Sequence, residues 1–274
     1  MLLAAGGFVW GMRHQPPRQA QPGAVTAPGG LPAGEGPAPQ PRQELPERAV
    51  TAGWVAAAPG ADYCVRAAGG GVAQVAAVRV DLARYRAEVA DLAQGGRKEQ
   101  TVRELVAARG AVAAINGGYF DRDRRPLGAL VHAGKQSNPP SGSGGGFFCV
   151  VGGRAVLRET GRGLPSGVTE ALQCYPLLVV GGRAKVHFKP GEAVRAGVGI
   201  TARGEVVLAV TCRGDLSLRD WAAAMHDLGC TEALNLDGGP SSQLYFHAGK
   251  TELDLPGTYA VPAALVVVRR EGGR

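Results

Sequence analysis

Ala233-Leu234-Asn235-Leu236-Asp237-Gly238-Gly239-Pro240-Ser241-Ser242 and Ala114-Ile115-Asn116-Gly117-Gly118-Tyr119-Phe120-Asp121 follow one pattern. Each opens with a short apolar run that reads as a buried strand, then offers a carboxamide or carboxylate, then Gly-Gly. Glycine directly after a strand permits positive φ and lets the main chain approach a ligand closely. A polar side chain at that point projects from a rigid strand end. One such turn alone is unremarkable; two in one chain mark a place where chemistry is assembled.

Outward from these motifs the chain reads as short strands with two helices. Apolar alternation predicts strands over 72–82, 111–115, 147–151, 177–180 and 206–211. Gly-Gly pairs at 152–153 and 181–182, each followed by Arg, predict hairpin turns. The first helix starts at Thr101, whose side chain caps it; Glu104 completes a capping box and Gly110 stops it. The second is capped by Ser217 with Asp220, buries Trp221, Met225 and Leu228, and ends at Gly229, while His226 faces solvent. Strands interrupted by two helices, without a regular βαβ rhythm, predict an α+β domain over 49–274. Its sheets are expected to be mixed but largely antiparallel, packed with the two main helices in a single domain.

Residues 1–13 begin with the uncharged apolar run Met1 to Met12 and read as a signal-like or anchor segment. Too short to span a bilayer comfortably, the run is otherwise a frayed apolar terminus. Residues 14–48 carry prolines at 16, 17, 22, 28, 32, 37, 39, 41 and 46, the composition of a semi-rigid solvated linker. An apolar start, a Pro-rich tether and a globular domain together suggest an extracytoplasmic protein: secreted, periplasmic or tethered to the membrane through its N-terminus. In an oxidising compartment, Cys64, Cys149, Cys174, Cys212 and Cys230 allow two disulfides and one free thiol; otherwise they are small buried hydrophobes.

With 45% hydrophobic and 19% charged residues, the 274-residue chain is neither wholly disordered nor a coiled coil. The net charge of +7 is nearly all arginine, in a chain rich in Ala, Gly and Pro as a GC-rich coding sequence produces. The basic balance is therefore weak ground for nucleic-acid binding, and 5% aromatics leaves few rings for base stacking. No nucleic-acid partner is expected.

Taken in order, INGGYF, a Gly-rich loop, PLLVVGG, R-x-x-x-G-I-T, a helix ending LGC and ALNLDGGPSS resemble the phosphodiester glycosidase family over roughly Val72 to Val268. The resemblance implies an exported hydrolase that cleaves sugar-1-phosphodiesters at the anomeric carbon, in envelope glycans or exopolysaccharide. A phosphodiester leaving group is a weak base, so the harder task is stabilising positive charge on the sugar and neutralising the departing phosphate. Asp237 is the carboxylate expected to face the anomeric carbon, as nucleophile, base or electrostatic stabiliser. Asp121 is either the second carboxylate or the cap of its own turn.

Arg195 matches the family's arginine block, and a bidentate guanidinium suits a phosphate. Ala196-Gly197 stands where the family usually has a hydroxyl residue followed by Ala, and Pro240 replaces the usual third glycine, removing one N–H donor. Substrate contacts are expected from Asn116, Gly117, Gly118, Tyr119, Asn235, Gly238, Gly239, Ser241 and Ser242, through hydroxyls, carboxamides and main-chain amides.

Other chemistries find no matching pattern. The loop 139–146 lacks the Lys and Ser/Thr of a P-loop and is read as a flap or a plain loop. Nucleophile-elbow, S-x-x-K and H-E-x-x-H motifs do not occur. Asp121, Asp123 and Asp237 lack calcium-loop spacing, so neither metal nor cofactor is expected. The competing reading, drawn from Pro240 and the altered Arg195 block, is a glycan or cell-wall binding module that keeps the fold without turnover.

Overall fold

A computed structural model describes residues 50–92, 99–142 and 145–270. The apolar start and the Pro-rich linker lie outside the described residues, as do Ser143 and Gly144 of the loop 139–146.

Three antiparallel sheets carry the fold. The first has eight strands in the order Val55–Ala58, Ala61–Ala68, Ala73–Val80, Val206–Arg213, Ala196–Thr201, Cys230–Asn235, Leu177–Val180, Arg183–Ala184. The second runs Thr251–Leu255, Leu244–Ala248, Ala113–Asn116, Ala263–Arg269, Tyr85–Asp91, and the third Lys135–Asn138, Leu130–His132, Val168–Cys174, Gly146–Val151, Arg154–Glu159. A small ladder pairs Glu192–Ala193 with Leu216–Ser217.

Alternation divides each strand between two burial partners. On the first sheet, Val78, Val198 and Leu234 face a core shared with Ile115, Phe246 and Leu265 of the second and with Phe148 and Leu172 of the third. The opposite face, through Val75, Ala77, Val207 and Ala209, packs on Trp221 and Met225 of the helix Leu218–Asp227. The second sheet's outer face, through Ala90, Ala114 and Val266, packs on Leu105 and Val106 of the helix Val102–Arg109. Burial on both faces explains why Val206 to Cys212 is apolar at every position except Thr211.

Both helices begin as their sequences dictate. Thr101 Oγ1 accepts the Glu104 N–H at 3.3 Å and Glu104 accepts the Thr101 N–H at 2.9 Å. Gly110 closes that helix with φ +59°. Ser217 Oγ accepts the Asp220 N–H at 3.1 Å. The Trp221 indole packs closely on Gly197 of the first sheet, where a Cβ would sit 3.1 Å from its Cζ2.

The largely antiparallel sheets and two main helices are as expected; helices of 8 and 10 residues against three sheets make the domain mostly β, so α+β describes it only roughly. The strand Tyr85–Asp91 alternates apolar and polar residues over Tyr85 to Val89, whereas Val168–Cys174 has no strong period of its own. Of the two readings left open for the five cysteines, the buried one holds: none is disulfide-bonded. Burial pushes the thiols up, Cys64 to about 11 and Cys149 and Cys230 to about 12, so they are packing groups rather than nucleophiles.

Trp221 is fully buried between the helix and the first sheet. Trp221→Ala is expected to lower unfolding stability by about 3–5 kcal/mol in urea denaturation; a loss below about 1 kcal/mol would contradict this packing.

Candidate active site

The two glycine motifs leave different sheets and are laced together where they emerge. Asn116, at the end of the central strand of the second sheet, is fully buried. Its Nδ2 donates to the Asp237 carbonyl at 2.8 Å and to the Gly117 carbonyl at 3.2 Å, and its Oδ1 accepts the Gln243 N–H at 3.1 Å. In return the Asp237 N–H donates to the Gly117 carbonyl at 3.1 Å. The main chain of Asp237 is thus gripped on both sides by the other motif.

The glycines serve this lacing. A Cβ at Gly118 would lie 2.5 Å from the Gln173 carbonyl, so only glycine fits. Gly117 donates its N–H to the Ala263 carbonyl and Gly239 to the Val194 carbonyl, each at 2.8 Å. The sequence expectation of amides turned to a ligand is therefore corrected: these two amides are spent within the fold.

The nearby Ser241 hydroxyl and Gly238 N–H favour the ionised form of the Asp237 carboxyl. Burial outweighs these donors and raises its pKa to about 6, while the Arg124 charge pulls it partly back. A carboxyl so poised holds or releases a proton in the range where hydrolases work.

Beside it stands an aromatic pair. The Tyr119 and Tyr175 rings meet at 4.7 Å between centroids, tilted by 44°. The Tyr119 hydroxyl donates to the Tyr175 carbonyl at 3.2 Å and accepts from Asn235 Nδ2 at 3.1 Å. Asn235 Nδ2 also reaches the Tyr175 carbonyl at 3.1 Å and the Leu236 carbonyl at 2.7 Å. Burial, with the nearby Cys174 and Asp237 charges, raises the Tyr119 phenol, which stays a neutral donor. Burial likewise lifts the Cys174 thiol to about 12.

Arg195 is turned partly inward. Its Nε donates to the Leu216 carbonyl and its Nη2 to the Gly191 carbonyl, each at 2.8 Å, which braces the small ladder. The Nε–Nη2 fork, expected to face a phosphate, is thus occupied by main-chain carbonyls. Burial lowers its pKa, with Tyr119 and Asp215 opposing the shift. Asp121 is the cap of its turn, accepting the Arg125 N–H at 2.8 Å, and its hydrogen bonds do not reach Asp237. Ser242 Oγ and Asn235 Oδ1 are buried without a partner among the described residues. Among those residues, no three His, Cys, Asp or Glu converge to hold a metal.

Sequence reading missed Tyr175, Gln243 and Arg124. Gln243 follows directly on Ser242, and its carboxamide ties the Val102 N–H to the Ser241 and Tyr259 carbonyls. The described part of the loop 139–146 is pinned, since the Gln173 carboxamide exchanges hydrogen bonds with Ser141 at 2.9 and 2.8 Å.

The sequence model for phosphodiester glycosidases matches residues 109–268. The chain is similar to the uncharacterised protein YigE of Escherichia coli K12, at 30% identity over 150 residues, covering 50% of this chain and 58% of that protein. It therefore spans rather more than half the length of that relative. Among solved structures, the catalytic domain of zebrafish N-acetylglucosamine-1-phosphodiester alpha-N-acetylglucosaminidase, auto-inhibited by its pro-peptide, shares the fold. The TM-score is 0.62 at 18% identity, over 80% of this chain and 87% of that one. A hypothetical protein from Synechocystis gives 0.59 at 16% identity, over 79% and 63%.

Because the folded-state pKa of Asp237 is raised above its ordinary value, folding favours the protonated form. Stability is lost as pH rises from about 4 to about 6. Asp237→Asn removes that cost. The variant is expected to be more stable than wild type above pH 6 by on the order of 2–3 kcal/mol, and level with it near pH 4, in denaturant titrations at both values. No gain above pH 6 would contradict the burial described.

Proposed function

The chain belongs to the phosphodiester glycosidase family, and from that membership we propose that it hydrolyses phosphodiester-linked sugars with Asp237 at the reacting carbon. The observation that carries the reading is the Asp237 carboxyl, buried at the meeting of two laced strand ends in a wall of Tyr119, Tyr175 and Asn235. Bond cleavage falls between the anomeric carbon and the phosphoryl oxygen. Water adds its oxygen to the anomeric carbon, and the electron pair of the broken bond leaves with the phosphate monoester. Whether Asp237 attacks, takes the water's proton or balances charge on the sugar, it acts as the carboxylate. Ser241 and the Gly238 amide favour that form, and burial limits competing solvation. Sugar hydroxyls find their partners in Asn235 and Ser242, whose buried oxygens have none among the described residues.

The apolar residues 1–13 and the linker 14–48 support export to an extracytoplasmic site, with envelope glycan or exopolysaccharide as substrate. No helix among the described residues is long and apolar enough to cross a membrane. Glycan binding without turnover is a second reading, favoured by the occupied fork of Arg195. Saturable binding without sugar release across a panel of glycosyl phosphodiesters is its outcome.

The test is release of free sugar from an N-acetylglucosamine-1-phosphodiester. Asp237→Ala is expected to lower kcat/KM by at least about a hundredfold. In wild type, kcat/KM falls about tenfold per pH unit below about pH 6, as the carboxylate is lost. Full activity in the variant removes the assigned role.

A further inference from the structure

Gln243 follows directly on the second glycine motif and leads into the strand Leu244–Ala248. It is buried, and its main-chain and side-chain polar groups are all engaged. Its N–H donates to Asn116 Oδ1 at 3.1 Å and its carbonyl accepts the Asn116 N–H at 3.3 Å, which carries the pairing of Leu244 with Ile115 one residue further. The main chain of Gln243 is thereby locked to the residue whose carboxamide holds the Asp237 carbonyl at 2.8 Å.

The side chain reaches three other segments. Oε1 accepts the Val102 N–H at 2.9 Å, in the first turn of the helix Val102–Arg109. Nε2 donates to the Tyr259 carbonyl at 2.8 Å and to the Ser241 carbonyl at 3.2 Å. The segment around Tyr259 is itself pressed on the loop of the second glycine motif. The Thr258 N–H donates to the Pro240 carbonyl at 2.7 Å, and a Cβ at Gly257 would lie 2.9 Å from both Gln243 Nε2 and the Pro240 carbonyl oxygen. One carboxamide, with two donors and its acceptor filled, thus clamps the helix start, the 257–259 segment and the loop together. Removing it takes a partner from one main-chain N–H and two carbonyls, and the loop shifts to recover them.

We propose that Gln243 is a positioning residue for the hydrolysis: through Asn116, Ser241 and Tyr259 it holds the loop 238–242 and the main chain of Asp237 in one geometry at the reacting carbon. The inference rests on the hydrolase reading above. With 1% of its surface exposed, Gln243 acts through its neighbours rather than on the substrate. A misplacement of about 1 Å at a reacting group can cost about a hundredfold in rate. Ground-state binding, spread over many contacts, is little affected by such a shift. The signature is therefore a fall in kcat with KM nearly unchanged.

The experiment compares wild type, Gln243→Glu, Gln243→Met and Gly257→Ala in release of sugar from an N-acetylglucosamine-1-phosphodiester, with thermal melts giving the folded fraction. Gln243→Glu keeps an acceptor for the Val102 N–H at a helix N-terminus, where a carboxylate is favoured, but loses both donors. Its kcat per folded molecule is expected to fall about 10- to 100-fold, with KM within about threefold. Gly257→Ala leaves Gln243 in place, pushes the segment off the loop and gives a smaller loss of the same kind. In the uncharged variants Gln243→Met and Gly257→Ala, the acid limb of the kcat/KM profile moves upward by about half a pH unit. A loosened loop withdraws the Ser241 and Gly238 groups that favour the carboxylate. A residue that merely stabilises the fold lowers the melt and leaves kcat per folded molecule and the pH profile where they are. That result, or a raised KM at unchanged kcat, overturns the inference while the hydrolase reading stands. If Gln243→Met does not fold, Gln243→Glu and Gly257→Ala decide by the same readouts. Absence of sugar release by wild type overturns both.

Discussion

The Asn116 carboxamide is the joint on which the site depends. It is buried, ends a strand of the second sheet, and spends its three hydrogen bonds on main-chain groups of Gly117, Asp237 and Gln243. The bond to the Asp237 carbonyl ties this strand end to the second glycine motif, and the other two hold the carboxamide in place at its own strand end. Aspartate would lack the donor side and leucine both sides, so this geometry asks for a carboxamide. The Asp237 N–H completes the joint from the other motif. A catalytic carboxylate gains most when its main chain cannot drift, because small misplacements at a reacting centre are costly.

The same joint creates an electrostatic problem. Closing two strand ends over Asp237 removes water from its carboxyl, and the Ser241 and Gly238 donors only partly replace it. Arg124 offsets some of the remainder from a distance, without forming a direct ion pair among the described residues. A direct, saturating pair would have held Asp237 permanently ionised and less reactive. The carboxyl instead sits near neutrality, responsive to the charge that a substrate brings.

Local signals were legible in the sequence because they act over three or four residues. The capping box of Thr101 and Glu104, the Ser217 cap and the hairpin glycines at 152–153 and 181–182 all formed as read. The two glycine motifs also announced themselves. Their glycines, however, were needed for approach to the fold's own carbonyls, a demand set by partners far along the chain, such as Gln173 and Ala263. Tyr175, Gln243 and Arg124 escaped for a similar reason. Each acquires its role from a tertiary neighbour, Tyr119, Asn116 or the Ala260 segment, that no local spacing encodes. Asp121 had two plausible uses, and its turn claimed the side chain.

In the proposed reaction the bond broken joins the anomeric carbon to oxygen, as for glycoside hydrolysis at a carboxylate. Hydrolysis of a glycosyl phosphodiester in heavy-oxygen water tests this most directly, with mass spectrometry of both products. The account predicts the heavy oxygen in the released sugar and none in the phosphate monoester. Heavy oxygen in the phosphate would mean attack at phosphorus and would contradict it.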